Sequence, residues 1–171
     1  MVVISIRLGV AAVALAPIML SAVIQNRNEL IAQMRYLAAR DPMTGVFSRE
    51  AFLEQTRAHL DGQPSPVAAV SIELDLMGEL RRKHGDEVSD TVLLVLSKRI
   101  AGCLRSNDML GRMGPDAFTA FLTNCPEPYA RDVAERIRAS IAATPVECGD
   151  GSAVTVTASV GVVSASWSAE L

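Results

Sequence analysis

Three absences narrow what this chain of 171 residues can be. It has no excess of positive charge, since 16 Lys and Arg stand against 19 Asp and Glu for a net charge of −3. This gives no electrostatic case for nucleic acid, which is not expected as a partner. It has no Cys or His in metal-ligand spacing. Cys103, Cys125 and Cys148 are odd in number and without a CxxC, so they imply neither a zinc site nor a disulfide framework, in keeping with a reducing compartment. His59 and His84 are isolated, and His84 beside Gly85 reads as a helix-end polar residue rather than a ligand. Internal repeats and low-complexity segments are also missing, which leaves one globular domain and an unusually apolar front.

That front raises the mean hydropathy to +0.27. From Leu8 to Ile24 there is no charge, and the run lengthens if Arg7 snorkels. Residues 1–25 are therefore expected to be a transmembrane anchor, with a signal peptide as the competing reading. The stretch before the run is apolar rather than basic, and no clear small-x-small cleavage site stands before Gln25, which favours an uncleaved anchor. Arg27, Arg35 and Arg40 follow the run, so the expected location is the inner membrane, single-pass, with the rest of the chain in the cytoplasm. Residues 26–40 are polar with Leu30, Met34 and Leu37 at heptad-like spacing, either a linker helix or a short pairing stripe across a dimer.

A domain is expected over 41–171. Asp41-Pro42-Met43-Thr44-Gly45 breaks the preceding helix, and Ser48 can cap the next, which carries Phe52, Leu53 and Leu60. Val67 to Asp75 alternates: Val70, Ile72 and Leu74 share one face, while Ser71, Glu73 and Asp75 share the other. Gly85 separates a short helix at 79–83 from a longer one at 86–104, whose buried stripe is Val88, Val92, Leu96, Ile100 and Cys103. Two apolar runs, Met109-Leu110 and 118–122, flank Gly114-Pro115-Asp116 and predict a β-hairpin with an acidic tip. Pro126 and Pro128 open a helix with Tyr129, Val133, Ile137 and Ile141 every four residues, and 153–163 reads as a strand.

The order α, β, α, α, β, β, α, β suits an α+β fold, a mostly antiparallel ferredoxin-like palm with packed helices. Two acids from adjacent strands of such a palm can hold Mg²⁺ against phosphates, and Glu73 with Asp116 is the natural pair.

Four stretches in order resemble the GGDEF family, the diguanylate cyclase domains that join two GTP molecules into cyclic di-GMP. DPMTGVFSREAF, Asp41 to Phe52, is similar to the family's DxLTGLxNRxxF. ELDLMGELRRKHGDEVSDTVL, Glu73 to Leu93, is similar to D-h-D-h-F-K-x-I-N-D-x-h-G-H-x-x-G-D-x-x-L. GRMGPDAF, Gly111 to Phe118, stands in the place of R-x-GGDEF, and VTVTASVGV, Val154 to Val162, matches the T-x-S-x-G strand.

The resemblance implies metal binding at Glu73 and Asp116, guanine contact at Arg81 and Asp90, and an inhibitory-type cyclic di-GMP site at Arg105 and Asp108. Arg136 or Arg138 could complete that last site. The departures fall on the catalytic residues. The family's signature Glu is Ala117, which can neither take a proton nor ligate a metal, so no catalytic residue is intact. Pro115 replaces a glycine and cannot adopt positive φ, so the tip must be reshaped. Arg81 stands for the guanine-reading Asn and Gly78 for a phosphate-contacting Lys. The family's closing A-D-x-A-L-Y-x-A-K helix and final strand are not found, so the domain is read as C-terminally incomplete.

The expectation is a membrane-anchored, degenerate GGDEF domain in cyclic di-GMP signalling. It would lack cyclase activity and act as a cyclic di-GMP receptor through R-x-x-D or as a dimerising partner, with itself or with other GGDEF proteins. The alternative is an active diguanylate cyclase, a nucleotidyltransferase using GTP and Mg²⁺. A truncated fragment is a third reading.

Overall fold

The computed structural model describes residues 39–62, 65–149 and 151–165, together with 21, 25 and 27. The chain divides into two compact units, Met1–Ala38 and Ala39–Leu171. The apolar run of 8–24 and most of the 26–40 stripe lie outside the described residues. Among the described residues, no helix is long and apolar enough to cross a membrane.

The second unit opens with a tight turn. Asp41 Oδ1 accepts from the backbone N–H of Thr44 at 2.9 Å and from its hydroxyl at 2.6 Å, an Asx turn that stops any helix running in from upstream. Ser48 then caps α1 (Arg49–Leu60) by accepting from Ala51 N. Strand β1 (Val67–Leu74) follows, then α2 (Met77–His84) and α3 (Asp86–Gly102). The two helices meet at Gly85, whose φ of 85° is open to glycine and costly for other residues. The hairpin comes next as β2 (Met109–Arg112) and β3 (Ala117–Leu122), then α4 (Glu127–Ala142). Two-residue strands β4 (Val146–Glu147) and β5 (Ala153–Val154) pair with each other, and β6 (Ala158–Ala165) completes the main sheet.

The main sheet is antiparallel in the order β2-β3-β1-β6. This is the split β-α-β-β-α-β arrangement expected of a ferredoxin-like palm, with β1 central because both of its edges find partners. Alternation sorts the faces. Val70, Ile72 and Leu74 of β1 join Phe118, Ala120 and Leu122 of β3 against Val92, Leu96 and Ile100 of α3 and Ile137 and Ile141 of α4. On the opposite face, Phe52 of α1 packs with Val67 and Phe121. Gly111 makes this second contact possible, since a Cβ there would lie 2.6 Å from the Phe52 ring.

Four expectations need correction. The strand of Val67 to Asp75 ends at Leu74, because Asp75 leaves the ladder to bond with the β6 side. The strand expected over 153–163 is broken: Ala153–Val154 turns back on β4, and β6 begins afresh at Ala158. Tyr129 is 60 % exposed, lying in the first turn of α4, while Val133, Ile137 and Ile141 are buried as expected. Leu53 and Leu60 are exposed, because the buried positions of α1 are Ala51 and Phe52 and the two leucines fall outside them.

Candidate functional site

The C-terminal end of β1 is where the first group of predicted residues gathers. Glu73 stands on the outer, solvent-facing side, opposite Ala117 on β3 and Ser159 on β6. The hairpin tip is bound to this end, since Leu74 N donates to Asp116 O at 3.0 Å. The predicted metal pair is therefore split between β1, which carries Glu73, and the hairpin tip just before β3, which carries Asp116. Neither the Glu73 nor the Asp116 carboxylate has a hydrogen-bond or ion-pair partner among the described residues. Two unpartnered carboxylates fit Mg²⁺ as it is commonly held, by one or two protein carboxylates with substrate phosphates completing the shell. Among the described residues no group of three or more His, Cys, Asp or Glu gathers as a self-sufficient metal site. Bound there, the ion would neutralise phosphate charge.

Asp75 does something else. Its carboxylate accepts from Thr157 Oγ1 at 2.7 Å and Ser159 Oγ at 3.0 Å, and its N–H donates to Thr157 O at 2.9 Å. It ties the end of β1 to the start of β6. The next residue, Leu76, has φ of 60° and is 71 % exposed, an unusual left-handed conformation for a branched apolar side chain at the turn into α2.

The signature hairpin closes without a positive-φ residue between Arg112 and Phe118. Met113 N and Gly114 N both donate to Ala117 O, at 2.8 and 3.2 Å, so Pro115 sits in a connection that does not need its missing N–H. Arg112 braces this tip: Nε donates to Gly114 O at 3.1 Å and Nη2 to Pro115 O at 2.7 Å. Its Nη1 reaches the largely buried Asp41, 71 residues away, at 3.1 Å. Burial works against the Asp41 carboxylate, but the Thr44 hydroxyl and N–H and the Arg112 guanidinium outweigh it and hold its pKa below the ordinary value. The sequence reading left Arg112 without a role; its place two residues before the signature glycine was the available signal.

The expected guanine contacts are on consecutive helices. Arg81, on α2, is exposed and forms a surface ion pair with Asp86 at 3.0 Å, a weak contact in water. Asp90, on α3, is half-buried and has no partner among the described residues. No ion pair joins Arg81 to Asp90.

The R-x-x-D turn follows α3 on the far side of β2. Asp108 Oδ2 accepts from Arg105 N at 2.9 Å, Asp108 Oδ1 accepts from Thr123 N at 3.2 Å, and Asp108 N donates to Arg105 O at 3.1 Å. Asp108 is thus a builder of the turn rather than a free ligand group. The Arg105 side chain is exposed and has no hydrogen-bond or ion-pair partner among the described residues. Arg136 donates to Cys103 O at 2.7 Å, which sets its guanidinium at the end of α3 beside this turn, whereas Arg138 is held by Glu135 at 2.6 Å. Cys125 reports the same neighbourhood: burial first, and then the Asp108 charge, push its thiol pKa up, with Arg105 opposing.

The fold is thus an antiparallel palm in which Glu73 of β1 and Asp116 of the hairpin tip have no partner among the described residues. Residues 38–170 match the family model described as "Diguanylate cyclase, GGDEF domain". The chain belongs to the GGDEF family. It is 30 % identical to the uncharacterized protein YhcK of Bacillus subtilis over 80 % of this chain and 39 % of that one. It is 27 % identical to the protein named probable diguanylate cyclase DgcF of Escherichia coli K12, over 82 % of this chain and 45 % of that one. Among solved structures, diguanylate cyclase SiaD of Pseudomonas aeruginosa, crystallised with its activator SiaC, aligns with a TM-score of 0.71 and 28 % identity. That alignment covers 85 % of this chain and 56 % of SiaD. The chain thus spans less than two thirds of the length of each of these relatives.

Proposed function

We propose that this GGDEF domain does not synthesise cyclic di-GMP and instead binds it, with Arg105 as the principal ligand group. The observation that carries the loss of synthesis is the register Glu73↔Ala117. Where the family places its signature Glu, directly across the ladder from the first metal-ligating acid, this chain presents a methyl group. The guanidinium of Arg81, which carries donors only and offers no acceptor to a base edge, supports the same reading. Binding is supported by a free guanidinium on a turn that Asp108 holds in shape, with Arg136 beside it; an Arg can grip a phosphate or the guanine O6/N7 edge bidentately. The apolar run of 8–24 would anchor the chain in the inner membrane with the domain in the cytoplasm, and the stripe of 26–40 would pair it with a second GGDEF protein.

Glu73 and Asp116 support the alternative of an active cyclase, in which they would hold Mg²⁺ against GTP. Calorimetric titration of the full chain in detergent separates the two. Saturable cyclic di-GMP binding that Arg105→Ala weakens about ten-fold or more, with no product from GTP and Mg²⁺, is the expected result. Turnover of GTP to cyclic di-GMP would overturn the proposal.

A further inference from the structure

Arg105 is not alone on its side of the molecule. A cavity of about 510 Å³ lies between segment 40–47, the last turns of α3 and the R-x-x-D turn, within the size range of small-molecule sites. Its charged lining is Arg40, Lys98, Arg105 and Asp108. Asp108 Oδ2 and Oδ1 each accept one main-chain N–H, so its charge faces the turn's own donors, and three cations stand against this one carboxylate in the lining. Lys98 and Arg105 are exposed and have no hydrogen-bond or ion-pair partner among the described residues. Arg40 lies with its guanidinium carbon 4.2 Å from the centroid of the Phe47 ring, and it uses Nη1 for Gly45 O at 3.2 Å. Most of its donors remain available, and the ring contact restricts its orientation before any ligand arrives. Three cations with unused donors therefore border one concave space, although the chain as a whole is acidic.

We propose that this cavity holds the phosphates of the cyclic dinucleotide through Arg40 and Lys98 as well as Arg105, and that occupancy clamps segment 40–47 to the end of α3. The proposal rests on the receptor reading above and adds two ligand groups and a consequence. Segment 40–47 is the covalent entry to the domain, and it already docks on β2 through Phe47 N to Leu110 O and Arg112 N to Phe47 O, both 2.9 Å. A dianion bridging Arg40 to Lys98 and Arg105 would hold that entry against a second element, so that ligand binding acts on the segment joining residues 1–38 to the palm.

The test uses the full chain, titrated with cyclic di-GMP and, in a second arm, with inorganic pyrophosphate, in the parent and in Lys98→Glu, Arg40→Gln and Arg105→Ala. Lys98 is exposed and unpartnered among the described residues, so an unchanged urea midpoint should show that its variant is folded. The expected result is a loss of affinity of about ten-fold or more in Lys98→Glu and Arg40→Gln, with cyclic di-GMP slowing amide exchange in residues 40–47 of the parent. Pyrophosphate that competes with cyclic di-GMP in the parent identifies the phosphates as the recognised groups, and its failure to compete would overturn the phosphate assignment. Parent-like binding by Lys98→Glu, with loss in Arg105→Ala, would overturn the cavity while leaving the receptor reading intact. A folded parent that binds no cyclic di-GMP would sink both.

Discussion

The two ends of β2 have fared differently in this chain. At the signature end Arg112 ties the tip to Asp41 and Leu74 ties it to β1, while Glu73 faces Ala117 across the ladder without a partner among the described residues. At the R-x-x-D end the two charged residues differ in their engagement, Asp108 shaping the turn through its hydrogen bonds and Arg105 without a side-chain partner among the described residues. Hydrogen bonds that hold a loop and groups that meet a ligand are different demands on side chains. A site can keep the first while losing the second, and position within a motif does not say which demand a residue serves.

The largest expected effect would break the scaffold of the signature end. Arg112→Ala leaves Asp41 largely buried without its cation and frees two tip carbonyls, so urea denaturation should show a loss of about 3 kcal/mol. Arg105→Ala should leave the midpoint unchanged, and equal losses in the two variants would erase the contrast drawn above. A second substitution tries to restore chemistry rather than remove structure. Ala117→Glu places a like charge opposite Glu73, which should cost about 0.5–1 kcal/mol without divalent metal. Thermal melts with Mg²⁺ should recover that loss if Glu73 and the hairpin form a metal site. A melt insensitive to Mg²⁺ would show that the geometry is lost along with the Glu.

Asp108→Ala sharpens the division of labour at the other end. Two backbone donors lose their acceptor, and a stability loss of about 1–2 kcal/mol is expected. Asp108→Asn, which keeps one acceptor oxygen, should lose less. The smallest effect is in pH. The Asp41 pKa is lowered on folding, so its contribution is fully present above the ordinary carboxylate value of about 3.9 and disappears as pH falls through the lower folded value. Acid titration of the parent should therefore show stability declining below about pH 4, with a shallower decline in Asp41→Asn.

Much of the fold was legible because its signals are local. Alternation over Val67 to Leu74, the i, i+4 stripe of α3, the Ser48 cap and the Gly114-Pro115-Asp116 tip each report on their own neighbours in the chain. The errors fell where a local pattern competes with a distant partner. The Val/Thr-rich run of 153–163 looks uninterrupted until β4 claims its first residues. Asp75 continues the alternation of Glu73, but Thr157 and Ser159 take its carboxylate. Of the candidate site, Glu73, Asp116, Arg105 and Asp108 could be named from motif positions; Arg40 was readable only as a charge after the apolar run, Arg112 only by its place two residues before Gly114, and Lys98 not at all, since an isolated cation carries no spacing signal.

The amino-acid order by itself determined most of the elements, the faces they bury and the family, because periodicity and residue identity are properties of adjacent positions. Tertiary structure alone decided that Glu73 faces Ala117, that Asp108 shapes its turn through Thr123, that Arg112 joins the tip to Asp41, and that Arg40, Lys98 and Arg105 border one cavity. Each of these joins residues far apart in the chain, and only the packing of α3 and the entry segment around one sheet brings them within reach.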